Sequence, residues 1–192
     1  MNFTQIREVI KNKTVGIAGC GGLGSNCAVA LARVGVGKLI IADFDVVEET
    51  NLNRQYYFYK QIGLKKVDCL SENIQLINRE VKVETHDLKL DAESIAAIYQ
   101  NCDVIVEAFD KAEMKQMIVE IVSEQLPQTP LVLGLGMAGW GDSNSIHCRQ
   151  SDNLFICGDE TKEIAEDLPP LAPRVGIVAN MQANTVLEIL LK

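Results

Sequence analysis

No Cys-x-x-Cys pair occurs in the chain, although six cysteines stand at 20, 27, 69, 102, 148 and 157. A tetrahedral structural zinc takes four ligands, usually from two close pairs, and His147, Cys148 and Cys157 supply at most part of such a set. Structural zinc is therefore not expected. Most of the cysteines lie inside apolar segments, which reads as free buried thiols in a reducing compartment rather than a disulfide framework. No apolar run reaches the ~18–20 residues of a membrane span. The opening Met1–Gln5 has no basic stretch followed by an apolar one, so a secretory leader is not expected either. These absences point to a soluble, cytoplasmic protein. Positive charge is scarce: Lys and Arg total 18 against 26 Asp and Glu, for a net charge of −8. A negative field repels nucleic acid and anionic membrane, so neither is expected as a partner. Any phosphate the protein binds must meet a local positive site.

What is present is a globular balance. With 192 residues, 47% hydrophobic and 23% charged, the chain suffices for one well-filled core and not for two. A single domain over residues 1–192 is expected. Element types alternate along it. Thr14–Gly19 is a β-rich run, followed by a glycine-rich turn and a small-residue helix to about Arg33, stopped by Gly35 and Gly37. Lys38–Asp43 reads as a buried strand, and Val67, Leu70, Ile74 and Ile77 recur at helical spacing within about 63–79. Then come a strand at Val81–Thr85, a helix at Ala92–Tyr99, a strand at Val104–Val106, a helix over 112–126 and a strand at Leu131–Leu133. Ser145–Arg149 and Asn153–Cys157 are short strands close in sequence, hence an antiparallel edge, and 158–172 is a loop. Val175–Leu191 is a final helix with Pro173 and Arg174 at its mouth. Alternating strands and helices predict an α/β fold of Rossmann-like type: a mostly parallel open sheet, helices on both faces, and an antiparallel C-terminal edge.

The segment Gly19-Cys20-Gly21-Gly22-Leu23-Gly24-Ser25 is a G-x-G-x-x-G pattern between a strand and a helix. Its glycines permit a tight turn, and the helix start offers unpaired N–H groups to an anion. Asp43, at the end of the next strand, stands where an acid can accept hydrogen bonds from ribose hydroxyls. Beyond it, Asp43–Gln55 is polar and charged and includes Asn51, Arg54 and Gln55. Arg54 can fork onto phosphate oxygens, or pair at the surface with Glu48 or Glu49. Lys66 can add a point charge, and its neighbour Lys65 is an alternative. Asp110 closes the strand that begins near Asp103 and precedes a helix. There an aspartate either caps the helix or ligates magnesium, which takes one or two carboxylates and leaves its other positions to water and phosphates.

Together these pieces resemble the ThiF/MoeB/HesA family of ubiquitin-activating-type adenylyltransferases. The likeness rests on Gly19–Ser25, Val34–Gly37, Asp43-x-Asp45-x-Val47, Asn51-Leu-x-Arg54-Gln55, Gly63-x-x-Lys66, Asp110, Ala172–Gly176 and Gln182-Ala183, in the family's order. The compact length and the Gly158–Arg174 tail look most like the short ThiF-type proteins of thiamine biosynthesis. The resemblance implies binding of ATP and Mg²⁺, and of a ubiquitin-like sulfur carrier such as ThiS through its C-terminal Gly-Gly. The carrier carboxylate would be adenylated with release of pyrophosphate. By motif position, Gly19, Gly21, Gly22, Gly24 and Ser25 would hold phosphate and Asp43 the ribose. Asn51, Arg54 and Lys66 would hold the triphosphate, Gln55 would stand with them among the nucleotide-binding residues, and Asp110 would hold the metal. Arg54, Lys66 and Asp110 are the catalytic set. It further implies a homodimer, with Arg7 the candidate for an arginine lent to the partner, and makes Cys157 a candidate for sulfur chemistry. Two other readings compete. One is a nicotinamide-linked oxidoreductase, supported only by the glycine pattern and Asp43. The other is a non-catalytic member of the same family, which an Arg54 locked in a core ion pair would favour.

Overall fold

The computed structural model describes residues 1–192. Strand β1 (Thr14–Ala18) forms the centre of the sheet, flanked by β2 (Lys38–Asp43) and β4 (Val104–Glu107). The remaining strands are β3 (Lys82–Asp87), β5 (Leu131–Gly134), β6 (His147–Ser151) and β7 (Leu154–Gly158). The order across the sheet is β3-β2-β1-β4-β5-β7-β6. Every neighbouring pair is parallel except β6 with β7, which run antiparallel with Cys148 opposite Cys157. The expected Rossmann-like sheet with an antiparallel C-terminal edge is therefore the observed one.

The helices are α1 (Phe3–Ile10), α2 (Gly22–Val34), α3 (Lys66–Ile77), α4 (Ala92–Tyr99), α5 (Ala112–Gln125) and α6 (Ala172–Leu191). The central strands are apolar on both faces, as parallel strands covered on both sides must be. Val15, Ile17, Leu39, Ile41, Val104 and Val106 point into the larger core, beneath α2, α3 and α6. Ala18, Ile40, Ala42 and Ile105 point the other way, toward Ile95 and Tyr99 of α4 and Ile118 and Val122 of α5. Helix α2 ends at Gly35, which takes the left-handed conformation at φ 94° and closes the last turn through its N–H to Leu31 and Ala32 carbonyls.

Strands β3 and β6 lie one to two residues further on than expected, and three helices differ from the sequence expectation. Helix α1 was not among the expected elements; its two turns begin at a capping box between Asn2 and Gln5, and only Ile10 is buried. Helix α3 spans Lys66–Ile77 rather than 63–79, because Gly63 has φ 82° and Lys65 is extended. Helix α6 begins at Ala172, so Pro173 and Arg174 lie inside its first turn, where proline's missing N–H costs nothing.

The chain switches direction across the sheet between β1 and β4: β2 and β3 lie to one side and β5 to the other. In open α/β sheets the carboxyl ends of the strands form a crevice at that point.

Candidate active site

The crevice is a cleft of ≈ 400 Å³ at the carboxyl ends of β1, β2 and β4. Its floor is the glycine loop. Gly19 turns the chain at φ 99° and donates its N–H to the Ala42 carbonyl at 2.9 Å. Gly24 is needed for close approach: a Cβ there would fall 1.8 Å from the Gly19 carbonyl oxygen. No side chain caps α2 at Gly21, so its first-turn N–H groups face the cleft as an anion-binding start. Ser25 is wholly buried; its Oγ donates to the Gly21 carbonyl at 2.6 Å and accepts the Tyr56 N–H at 2.9 Å. Gly24 and Ser25 thus shape the loop from behind and do not line the cleft.

Asp43 stands at the end of β2. Its Oδ2 accepts the Cys20 N–H at 2.6 Å and its Oδ1 the Asp45 N–H at 2.8 Å. Burial raises its carboxyl above the usual range, against the two amides and the Lys66 ammonium. Lys66, only 5% exposed, enters from the start of α3 and reaches Asp45 Oδ2 at 2.8 Å. Lys65 points elsewhere, into an exposed ion pair with Asp87, so the structure puts Lys66 in the cleft. Arg54 forms no ion pair with Glu48 or Glu49. One nitrogen, Nη1, donates to Thr50 O at 3.2 Å and Asn53 Oδ1 at 2.7 Å, and the other terminal nitrogen keeps its donors. Asn51 is buried and accepts the Glu48 N–H at 3.0 Å through Oδ1. It shapes the turn that presents Arg54 and stands outside the cleft lining. Gln55 lines the cleft, and its Oε1 is buried without any partner in the chain.

Asp110 lies one residue before Lys111, the N-cap of α5, and so does not cap that helix. Its side chain is exposed on the cleft wall. An exposed carboxylate in the same cleft as an uncapped helix start suits magnesium, which takes one or two carboxylates and completes its shell with water and phosphate oxygens. The orphaned Gln55 Oε1 is a further oxygen awaiting a partner. The donor set therefore fits a magnesium nucleotide.

Eight of the residues expected at the site line the cleft: Gly19, Gly21, Gly22, Asp43, Arg54, Gln55, Lys66 and Asp110. Leu88, Lys89, Leu90 and Phe109 form the wall beyond Asp43, and Met137, Ile164, Pro170 and Val175 form the opposite one. Two residues that no motif singled out hold the parts together. Asn26 Nδ2 donates to the Gly22 and Arg54 carbonyls at 2.7 and 2.9 Å, and the Tyr57 hydroxyl donates to the Cys20 carbonyl at 2.7 Å. Neither has a spacing rule that would announce it. Asp45, quoted only as part of a motif, is the partner of Lys66. Arg7 lies on α1, in an ion pair with Glu80, and is not part of this chain's cleft. Burial pushes the Cys157 thiol up to about 12, which leaves it protonated near neutral pH.

The arrangement is an acid held rigid by two amides, an exposed carboxylate at Asp110, and the cations Arg54 and Lys66, with Lys89 and Lys111 also in the lining, around one cavity with an uncapped helix start. It can bind a nucleotide and steady negative charge on its phosphates.

The pattern of the ThiF family matches residues 3–192. The adenylyltransferase and sulfurtransferase MOCS3 of Caenorhabditis briggsae is 31% identical over 190 residues, covering 95% of this chain and 47% of that protein. The ubiquitin-like modifier-activating enzyme 5 of Drosophila willistoni is 43% identical over 90 residues, which is 47% of this chain and 22% of that protein. The chain thus spans less than half the length of these curated relatives. Among solved structures, the E. coli tRNA N6-threonylcarbamoyladenosine dehydratase TcdA in complex with AMP superposes with a TM-score of 0.88 at 19% identity, over 97% of this chain and 89% of that one. E. coli MccB with ATP gives 0.75 at 22% identity, over 97% of this chain and 59% of its own. At such identities the likeness is one of fold. With its sequence pattern matched almost end to end, the chain belongs to the ThiF family.

Proposed function

We propose that the protein is an adenylyltransferase that uses ATP to activate the C-terminal glycine carboxylate of a small ubiquitin-like sulfur carrier. The observation that carries this reading is the convergence of Asp43, Arg54, Lys66 and Asp110 on one cleft around an uncapped helix start. A carboxylate is already a nucleophile near neutral pH, so the reaction asks for no general base. Its oxygen attacks the α-phosphorus, the new P–O bond forms, and the bond to pyrophosphate breaks. The barrier lies in bringing two anions together and relieving charge on the leaving group, which positioning and cations address.

In this reading the amides of Gly21 and Gly22 receive phosphate, and Asp43 accepts from the ribose hydroxyls. Arg54 and Lys66 spread their charge over the triphosphate. Asp110 would hold Mg²⁺, which when bound neutralises phosphate charge. The carrier tail lies along the wall of Met137, Ile164 and Pro170, across the glycine loop from Asp43. The carrier we infer is ThiS-like, in thiamine biosynthesis, on the strength of the compact length and the Gly158–Arg174 tail. Relatives named for activating ubiquitin-like modifiers and for adenylyl and sulfur transfer support this class of partner. We also infer a cytoplasmic homodimer. The run of exposed Phe44, Val46, Phe58, Tyr59 and Leu64 past β2 supports a covered face there. A nicotinamide oxidoreductase would leave Arg54, Lys66 and Asp110 without a shared purpose.

The test is exchange of labelled pyrophosphate into ATP with a Gly-Gly-ended ubiquitin-like protein present. Carrier-dependent exchange is the expected result. Tight NADH binding with no exchange would overturn the reading in favour of an oxidoreductase, and ATP binding with no exchange in favour of a non-catalytic role.

A further inference from the structure

The wall opposite Asp43 is made of two largely irregular segments, residues 135–146 and 159–171, whose regular structure is one 3-10 turn at Ser143–Ser145 and a few isolated bridges. Backbone bonds zip them loosely together, including Asp159 N–H to Gly136 O at 3.2 Å and Gly139 N–H to Pro169 O at 2.9 Å. Beneath them lies the one ion pair whose side chains are both essentially inaccessible: Arg174 at 2% and Asp159 at 1% exposure. Arg174, in the first turn of α6, donates from Nη1 to the Gly141 carbonyl. Its Nη2 donates to Asp159 Oδ2 and, at 3.4 Å, to Ser145 Oγ. Asp159 spends its other oxygen on the N–H groups of Thr161 and Lys162, at 2.9 and 2.8 Å. A Cβ at Gly136 would sit 2.1 Å from that same oxygen, so the first segment closes tightly onto the pair.

This pair is poorly suited to being a source of stability. Desolvating two charges costs several kcal/mol per ion, and an apolar pair of similar volume often does as well or better. Here Arg174 Nε is also buried with no partner. What a guanidinium does that apolar packing cannot is fix several acceptors in one plane. The acceptors come from both segments, and the next residue, Val175, lies against the glycine loop: a Cβ on Gly22 would meet its Cγ1 at 3.0 Å.

We propose that Arg174 and Asp159 form a positioning clasp that sets the Met137–Ile164–Pro170 wall relative to the phosphate loop, and so selects the adenylyl acceptor, the carrier tail, without touching the nucleotide. This deepens the adenylation reading and rests on it for the identity of the acceptor. Burial works to raise the Asp159 carboxyl, but the two amides and the guanidinium outweigh it and hold it below the usual range, as a clasp closed at neutral pH requires.

Removing one charge alone strands the other and risks unfolding, so the main variant is Arg174→Met with Asp159→Asn. Hydrogen exchange is expected to quicken at least tenfold in 135–146 and 159–171 while β1–β4 stay protected, with the melting temperature held. In carrier-dependent pyrophosphate exchange, the KM for carrier should rise at least ~10-fold while kcat and the KM for ATP stay within about twofold. Arg174→Lys keeps the charge but not the fork; it should leave the melting temperature near the native value and raise the carrier KM by less than the double variant does. Wild-type exchange rates in both segments of the double variant would overturn the clasp. So would loosened segments with an unchanged carrier KM, which would remove its role in selection. If the native protein shows no carrier-dependent exchange while the two segments still loosen, the adenylation reading falls and the clasp stands on the exchange rates.

Discussion

Lys66 and Lys65 are adjacent in sequence and opposite in fate, and replacing each by methionine separates phosphate chemistry from surface charge. Lys66 is almost wholly covered, yet its partner Asp45 has a side chain 48% exposed. After Lys66→Met, water resolvates the Asp45 carboxylate, and methionine keeps most of the buried aliphatic stem. The lost pair is then worth about 0–1 kcal/mol, which in a chain of this size lowers the melting temperature by at most about 2–4 °C. The catalytic loss is of another order. Removing a preorganised group that steadies charge in the transition state costs about 10²–10³ in rate, or ~2.7–4 kcal/mol. Lys65→Met removes an exposed, solvent-screened pair with Asp87 and should leave the rate within roughly twofold and the melting temperature essentially unchanged. The assay is carrier-dependent pyrophosphate exchange beside thermal unfolding of both variants. Equal losses in the two, or undiminished exchange in Lys66→Met, would refute the assignment; so would a Lys66→Met protein that fails only because it unfolds.

Arg54→Ala and Asp110→Ala should each lower the same exchange at least ~100-fold with the melting temperature little changed, since neither side chain holds an ion pair in the fold; wild-type rates would remove both roles. Ser25→Ala should act on stability instead. It strips the acceptor from the Tyr56 N–H and costs about 1–3 kcal/mol, with near-normal exchange at temperatures where the variant is folded. Loss of nucleotide affinity in a stable Ser25→Ala protein would argue that the hydroxyl reaches the ligand. Asp43 predicts a pH dependence. Ribose hydroxyls donate to its ionised form, so binding favours loss of the proton that burial helps retain. Adenosine affinity, measured by calorimetry without phosphate titration to confuse it, should therefore rise with pH. The rise runs up to Asp43's raised value in the free protein and flattens above it, because there the proton is already lost before binding. Affinity that stays level across that window would mean Asp43 does not bind the ribose. The Asp43→Asn variant should lose the pH dependence.

Much of the frame was legible because it depends on local chemistry. Lys38–Asp43 and Ala92–Tyr99 came out with the bounds expected for them, since a β-branched run and a capped helical period each declare themselves within a few residues. Gly19–Gly24 was legible for the same reason: only glycine serves where backbone passes backbone. Ser25 and Asn51 sit among ligand-type neighbours in sequence, and only three-dimensional contacts show the Ser25 hydroxyl spent on the Gly21 carbonyl and the Tyr56 N–H, and Asn51 Oδ1 on the Glu48 N–H. Helix α1 escaped notice because its apolar stripe, Phe3, Ile6 and Ile10, spans only two turns, too short a window for helical spacing to stand out.

By itself the sequence determined the alternation of strands and helices, the anion-ready turn after β1 and a net charge of −8 that requires a localised positive site. Those are properties of a residue and its near neighbours. Tertiary structure decided which of two adjacent lysines faces the cleft, that Asp110 is free rather than capping, and that Arg174 meets Asp159 beneath two loops. Each of those depends on where a side chain points relative to residues far away along the chain, and no periodicity or local spacing carries that information.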